Sequence, residues 1–443
     1  MVKQALPAVA VIGRPNVGKS TFFNRVLGAR IAIVEDVPGV TRDRNFARAE
    51  WAGRHFYLID TGGLEPESTE PMALAIHKQV EAAIEESDVL VFMVDGKAGL
   101  HPLDYQIAEM LRRSNRPIVL VVNKLDRLPE ELGHHDFWAL GLGEPHPVSS
   151  VSGKGSGDVL DAIVANLPEQ AETPDEEDTL SVAVIGKPNV GKSSFVNRLL
   201  GEERMVVSDI AGTTRDSIDT PLRYHGRTLI FIDTAGLRRQ SRIDESLEYY
   251  SALRTERAIE RADVCLLLID ATEPVHNQDL RIAEKALEAG CGLIVVVNKW
   301  DLVEKDEKTA IAYERHLRES ARSLRWVPII FTSALTGQRV HKVLDLILEV
   351  AAERTRRIPT PELNDLLEQL EYRQPPPHFR GQPVKLLYAT QANVVPPTIV
   401  IFTNHPKGIP DHYLRYLENG FREQWGFTGV PIRIKIRGRR GED

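Results

Sequence analysis

At 443 residues the chain is too long for one ordinary core, and roughly 150 residues per domain suggests about three. Its 42% hydrophobic and 27% charged residues give the balance of a globular protein, which excludes a largely disordered chain. The longest apolar runs, such as Val264–Ile269 and Leu293–Val297, fall well short of the roughly 20 residues of a membrane-spanning helix. A formal net charge of −8 gives the chain as a whole no preference for nucleic acid.

In chain order, Ala5–Ile12 is apolar and runs straight into Gly13-Arg14-Pro15, without the cleavage site of a secretory signal, so a cytoplasmic location is expected. Strands are predicted over Val9–Ile12, His55–Ile59, Val89–Val94 and Ile118–Val122. They are continuous apolar runs, as parallel strands buried on both faces require. Helices fit between them, for example over Lys19–Leu27 and Leu103–Arg113. The pattern then repeats. Ala10–Gly28 (AVIGRPNVGKSTFFNRVLG) and Ala183–Gly201 (AVIGKPNVGKSSFVNRLLG) agree at 15 of 19 positions. The spacing is a whole domain, which excludes a solenoid of short repeats. The expected fold class is therefore α/β: two tandem domains, each a mostly parallel sheet with helices on both faces, with ligands at the carboxyl ends of the strands.

The expected boundaries are 1–167 for the first domain, 168–180 for a linker, 181–355 for the second domain and 356–443 for a C-terminal domain. The linker, Pro168–Leu180, carries six acids, no base and two prolines, and reads as solvated and extended. Cys265 and Cys291 each sit in or beside an apolar run and read as buried structural thiols. The last domain reads as a small α+β unit. It has helices over Leu363–Leu370 and Tyr413–Gln424 and strands over Val384–Ala389 and Thr398–Phe402, with a rigid loop at Gln374–Gly381. Its final segment, Pro431–Arg437, alternates apolar and basic residues.

Gly13-Arg14-Pro15-Asn16-Val17-Gly18-Lys19-Ser20 has the G-x-x-x-x-G-K-S spacing of a phosphate loop between a strand and a helix. Such a loop turns backbone N–H groups toward phosphate oxygens at a helix N-terminus. Lys19 would meet the β- and γ-phosphates, and Ser20 would ligate Mg²⁺. Gly186-Lys187-Pro188-Asn189-Val190-Gly191-Lys192-Ser193 offers the same roles again. Asp60-x-x-Gly63 and Asp233-x-x-Gly236 follow their lysines by the same interval. The Asp of each would serve the Mg²⁺ shell, and the Gly N–H would serve the γ-phosphate. Asn123-Lys124-x-Asp126 and Asn298-Lys299-x-Asp301 select the base, because a carboxylate can pair the N1–H and N2–H₂ donors of guanine, which adenine lacks. Pro147–Ser150 and Phe331–Ala334 fall where a loop would back the guanine; Ser333-Ala334 fits that role better, since the first copy has Ser150 in place of Ala. Thr41 and Thr214 stand in matching polar segments and would close over Mg²⁺ and the γ-phosphate in the triphosphate state. The expected ligands are GTP or GDP at two sites, with Mg²⁺.

Two such modules in tandem, an acidic linker and a small C-terminal domain resemble the bacterial Der (EngA) proteins over essentially the whole chain. The resemblance implies a GTPase that acts on the large (50S) ribosomal subunit during assembly and meets its rRNA, with a C-terminal fold similar to a KH domain. It also bears on mechanism. Leu64 and Leu237 follow D-x-x-G where many small GTPases carry a water-orienting Gln. The group with a hydrophobic residue there uses K⁺, and Asn16 and Asn189 occupy the K⁺-holding position of that group. One departure stands out: the backbone-clamping G-x-x-G loop of KH domains is absent, and the nearest tetrad, His405-Pro406-Lys407-Gly408, does not fit. Arg433, Lys435, Arg437, Arg439 and Arg440 read either as phosphate contacts or as a charged edge strand protected from aggregation. Two other functions fit the motifs: a GTPase coupled to tRNA modification, and a GTP-binding scaffold without turnover. No membrane is expected as a partner, and a monomer is the default.

Overall fold

The computed structural model describes residues 6–28, 46–61, 72–125, 135–168, 179–202, 219–234, 248–304 and 308–438. The chain divides into two compact units, one built on the first repeat and one on the second repeat together with the C-terminal domain.

In the first unit the strands are β1 (Ala8–Ile12), β2 (Phe46–Trp51), β3 (Arg54–Asp60), β4 (Val89–Asp95), β5 (Ile118–Asn123) and β6 (Pro145–Pro147). Their order across the sheet is β2-β3-β1-β4-β5-β6. Only the β2–β3 pair is antiparallel. Each strand sends alternate side chains to opposite faces, so a sheet covered on both sides needs two cores. Both are present. Ala8, Ala10, Leu90, Phe92 and Leu120 pack with Ala83, Ile107 and Leu111 from the helices Met72–Glu86 and Pro102–Arg112. Val9, Val11, Val91 and Val121 pack with Phe22, Phe23 and Ile163 from the helices Lys19–Gly28 and Ser156–Ala165. Register then brings the strand ends together: Val11 pairs with Asp60, and Asp95 with Asn123.

The second repeat builds the same sheet from β7 (Thr179–Ile185), β8 (Thr220–Tyr224), β9 (Arg227–Phe231), β10 (Val264–Asp270), β11 (Gly292–Asn298) and β12 (Ile329–Phe331). The order is β12-β11-β10-β7-β9-β8, and only β8 runs antiparallel to its neighbour. Cys265 and Cys291 are buried in one of its two cores, and the Cys291 thiol donates to the carbonyls of Ile259 and Ala262 at 3.2 and 3.3 Å. Of the expected linker, residues 169–178 lie outside the described residues, and Thr179 and Leu180 already belong to β7.

The C-terminal domain has helices Thr360–Arg373 and Asp411–Trp425 on one face of a sheet ordered β13-β14-β15 (Leu386–Asn393, Thr398–Thr403, Arg433–Gly438). The strand predicted over Val384–Ala389 begins two residues later and runs on to Asn393, as far as its pairing with β14 extends, with Leu386, Ala389 and Gln391 buried. This domain is seated on the second repeat. Leu293 N–H donates to the Gly429 carbonyl at 2.7 Å, and Gly429 N–H to that of Trp326 at 2.8 Å. Gly429 has φ +73°, and a Cβ there would lie 2.9 Å from the Leu293 oxygen, so only glycine fits. The Arg422 guanidinium lies 3.8 Å from the Trp326 ring centroid, and Phe427 N–H donates to the Glu353 carboxylate at 2.8 Å. No helix among the described residues is long and apolar enough to cross a membrane.

Candidate nucleotide sites

Both repeats gather the same side chains at the carboxyl ends of their strands. β1 ends in the loop 13–18, and the helix Lys19–Gly28 begins at the lysine. Lys19 Nζ donates to the carbonyls of Gly13 at 2.8 Å and Arg14 at 3.0 Å. Lys192 Nζ donates to those of Gly186 at 2.8 Å and Lys187 at 2.6 Å. Each ammonium is thereby held across its own loop. Burial lowers the Lys192 pKa to about 8, because a desolvated ammonium is disfavoured. Asn16 and Asn189 both have left-handed backbone, φ +65° and +63°, which turns their neighbours' N–H groups into the loop.

Two loop glycines make room for a neighbouring asparagine. A Cβ on Gly18 would sit 2.3 Å from Asn123 Nδ2, and one on Gly191 would sit 2.5 Å from Asn298 Nδ2. Each asparagine in turn ties three segments together. Asn123 Nδ2 donates to the Val17 carbonyl at 2.8 Å, and its Oδ1 accepts from Ser150 N–H at 3.0 Å. Asn298 Nδ2 donates to the Val190 carbonyl and its Oδ1 accepts from Ala334 N–H, both at 3.0 Å. Ser150 therefore stands where Ala334 does, and its hydroxyl adds a second donation to Asn123 Oδ1 at 2.9 Å. The serine strengthens the tie. Lys124 bonds Asp95 at 2.7 Å, and Lys299 bonds Asp270 at 2.6 Å. Burial alone would raise both carboxyls, but the lysine and nearby N–H groups outweigh it and hold Asp95 and Asp270 below the usual carboxylate range.

Ser20 and Ser193 are the second residues of their helices. Asp60 ends β3, and Asp233 follows β9. The two aspartates are not held alike. Asp60 lies in the strand and is buried, whereas Asp233 has left-handed backbone, φ +56°, and its N–H donates to Asp219 at 2.8 Å. One hydroxyl and one carboxylate per module are hard oxygen donors that suit Mg²⁺, which commonly takes its remaining ligands from phosphate and water. Among the described residues no group of three or more His, Cys, Asp or Glu could hold a metal without such help. Asp301 is described in a 3₁₀ turn after Lys299. Thr41, Gly63, Asp126, Thr214 and Gly236 lie outside the described residues, as do Leu64 and Leu237.

Three pairs of residues at these sites escaped the sequence reading. Arg25 Nε donates to the Ser150 carbonyl at 3.2 Å, and its guanidinium also meets that of Val151. Arg198 makes the matching bonds to Ala334, at 3.1 Å, and to Leu335. Asp104 and Asp279 are fully buried; each accepts the N–H of the histidine capping its helix, His101 at 2.9 Å and His276 at 3.0 Å. Each also lies 3.5 Å from the cation at the second position of a phosphate loop, Arg14 or Lys187. Burial raises the Asp104 carboxyl above its usual range, against the pull of the His101 N–H and of Arg14. Asp95 and Asp270 form the third pair. The signal that finds all three is identity between the two repeats.

Fold and sites define a pair of phosphate-loop GTPase domains followed by a KH-like domain. A family model described as "50S ribosome-binding GTPase" matches residues 8–124 and again 181–299, and one described as the KH-domain-like C-terminal part of EngA bacterial GTPases matches 357–437. GTPase Der of Gemmatimonas aurantiaca is 58% identical over 98% of this chain and 99% of its own. GTPase Der of Caldanaerobacter subterraneus is 53% identical over the same shares. A solved structure of Aquifex aeolicus Era bound to GDP and aluminium fluoride covers 59% of this chain and 93% of its own, at 21% identity and a TM-score of 0.30. The chain belongs to the GTPase Der family: it binds guanine nucleotide and hydrolyses GTP to GDP and phosphate. A scaffold without turnover is thereby set aside.

Proposed function

We propose that this chain is a GTP-controlled factor in assembly of the large ribosomal subunit, binding that subunit and its rRNA in the cytoplasm as a monomer. The observation that carries the reading is the match of both GTPase modules to a family described by 50S ribosome binding. In this reading each module takes one nucleotide. The loop N–H groups from Gly13 to Ser20 and from Gly186 to Ser193 receive the phosphates, with Lys19 and Lys192 supplying point charge to the β- and γ-oxygens. Asp126 and Asp301 pair the guanine edge, and the Ser333-Ala334 loop, tied to Asn298 through the Ala334 N–H, backs the ring. Ser20, Thr41 and Asp60 would hold Mg²⁺ in the first module, and Ser193, Thr214 and Asp233 in the second. The ion would offset charge on the transferring phosphoryl group. Gly63 and Gly236 would turn their N–H groups to the γ-phosphate, so that ordering of Thr41 and Thr214 reports the triphosphate.

Catalysis on this account is positioning and charge neutralisation. Asn16 and Asn189 would help hold K⁺ near the phosphates. Their left-handed backbone also gives each a role in shaping its loop. Equal turnover in KCl and NaCl at matched ionic strength would leave them that role alone. The function itself is tested by sedimenting the protein with large subunits, with and without a non-hydrolysable GTP analogue. Nucleotide-dependent cosedimentation is expected; its absence would favour a GTPase coupled to another cytosolic enzyme.

A further inference from the structure

The KH-like domain lacks a backbone-clamping loop, and the structure shows what became of the nearest tetrad. Pro406–Gly408 is a 3₁₀ turn whose glycine is buried; a Cβ there would lie 2.8 Å from both Phe379 Cβ and Val384 Cγ2. Lys407 is exposed, but Gly408 is packed inward, so the tetrad offers no glycine face on which a phosphate backbone could rest. The domain has another surface. Its two helices cover one face of the sheet, through Ala389, Ile399 and Ile401. Strand alternation puts the neighbours of those residues on the opposite face. Register aligns them in rows: Tyr388 with Phe402 and Arg437, then Thr390 with Val400 and Lys435. Tyr388 and Phe402 stack with ring centroids 4.3 Å apart and planes 12° apart. Tyr388 stays 48% exposed, and Lys435 and Arg437 are exposed beside the stack. Arg433, on the same face, is committed to the Glu288 carbonyl. These rows contain no acid.

We propose that this open sheet face binds single-stranded RNA. A base continues the stack on the free side of the Tyr388 ring, and Lys435 and Arg437 pair the flanking phosphates. A preformed aromatic pair beside unopposed cations is the composition of a sequence-tolerant platform, since every base offers a π-face and every nucleotide a phosphate. Duplex RNA keeps its bases stacked inside and cannot use such a ring. The inference rests on the reading that RNA is the partner, and it moves the contact from the helical groove of KH domains to the sheet.

The test is fluorescence anisotropy of a labelled single-stranded RNA dodecamer with the full chain, titrated at several KCl concentrations. Tyr388→Leu keeps apolar bulk and removes the π-face, so it should weaken binding about tenfold and leave the salt slope unchanged. Tyr388→Phe should bind as the unaltered protein does. Lys435→Gln combined with Arg437→Gln should reduce the slope of log K against log[salt] by about 1.4, the value for two phosphate contacts on a single strand. GTP turnover should be unchanged in all three. Unaltered affinity in Tyr388→Leu, or no oligonucleotide binding by the unaltered protein, overturns the proposal. If the oligonucleotide does not bind and the same variants still lose cosedimentation with large subunits, the face meets protein instead. Cosedimentation of the unaltered protein reads the assembly function separately.

Discussion

The two GTPase modules agree where nucleotide chemistry is at stake and differ where the chain has other work. Loop lysine, bridging asparagine, arginine to the Ser150 or Ala334 carbonyl, and buried aspartate at the next helix recur with the same partners. The supports differ. After the bridging Asn-Lys pair the first module has Leu125, whereas the second has Trp300, buried against Phe331 at 4.3 Å and Tyr313 at 5.8 Å. The second sheet also carries the C-terminal domain, with Val430 inserted into its core. Duplication held constant the residues proposed to meet phosphate and guanine, and left free what fastens each module to its surroundings.

The sharpest break of this comparison is at the lysines. Lys19→Ala and Lys192→Ala should each lower turnover of their own module by about a hundredfold or more and leave the other intact. Single-turnover assays on each variant and on the pair would show it; loss of all turnover from one change alone would mean the modules are not equivalent. Next is Trp300→Ala, which empties a large buried volume and should cost about 3 kcal/mol in denaturant unfolding of the second module. GDP affinity of the first module should be unmoved. Smaller again, Arg25→Ala and Arg198→Ala loosen the loop proposed to back the guanine, so GDP should leave the affected site about tenfold faster while kcat at saturating GTP holds. Stopped-flow release of a fluorescent GDP analogue measures this.

The smallest effect is with pH. The Lys192 pKa lies at about 8, and only its ammonium attracts phosphate. Bound phosphate raises that pKa, so GDP affinity at the second site is full below it and falls as pH rises through it, by about fourfold from pH 7 to 8.5. A Lys192→Arg variant stays charged and should remove the dependence.

Much of this was legible in the sequence because the signals were local. Buried parallel strands show as continuous apolar runs, and phosphate-loop spacing needs only eight consecutive residues. The edge strands β2 and β8 were not legible. Phe46–Trp51 alternates aromatic and alanine with charge, and Thr220–Tyr224 contains a proline, so neither carries the run of a buried strand. Asp104 and Asp279 were missed because an acid at the start of a helix has an ordinary capping role. Their second contact, with the phosphate-loop cation, depends on two strands lying side by side. Arg25 and Arg198 sit inside the repeated segment, yet their targets are more than a hundred residues away.

Isothermal calorimetry tests most directly whether one chain holds two matched guanine-nucleotide sites. Titration with GDP and Mg²⁺ should give a stoichiometry of two per chain, falling to one in either lysine variant, with no heat from ADP. A stoichiometry of one in the unaltered protein, or equal binding of ADP, would contradict it.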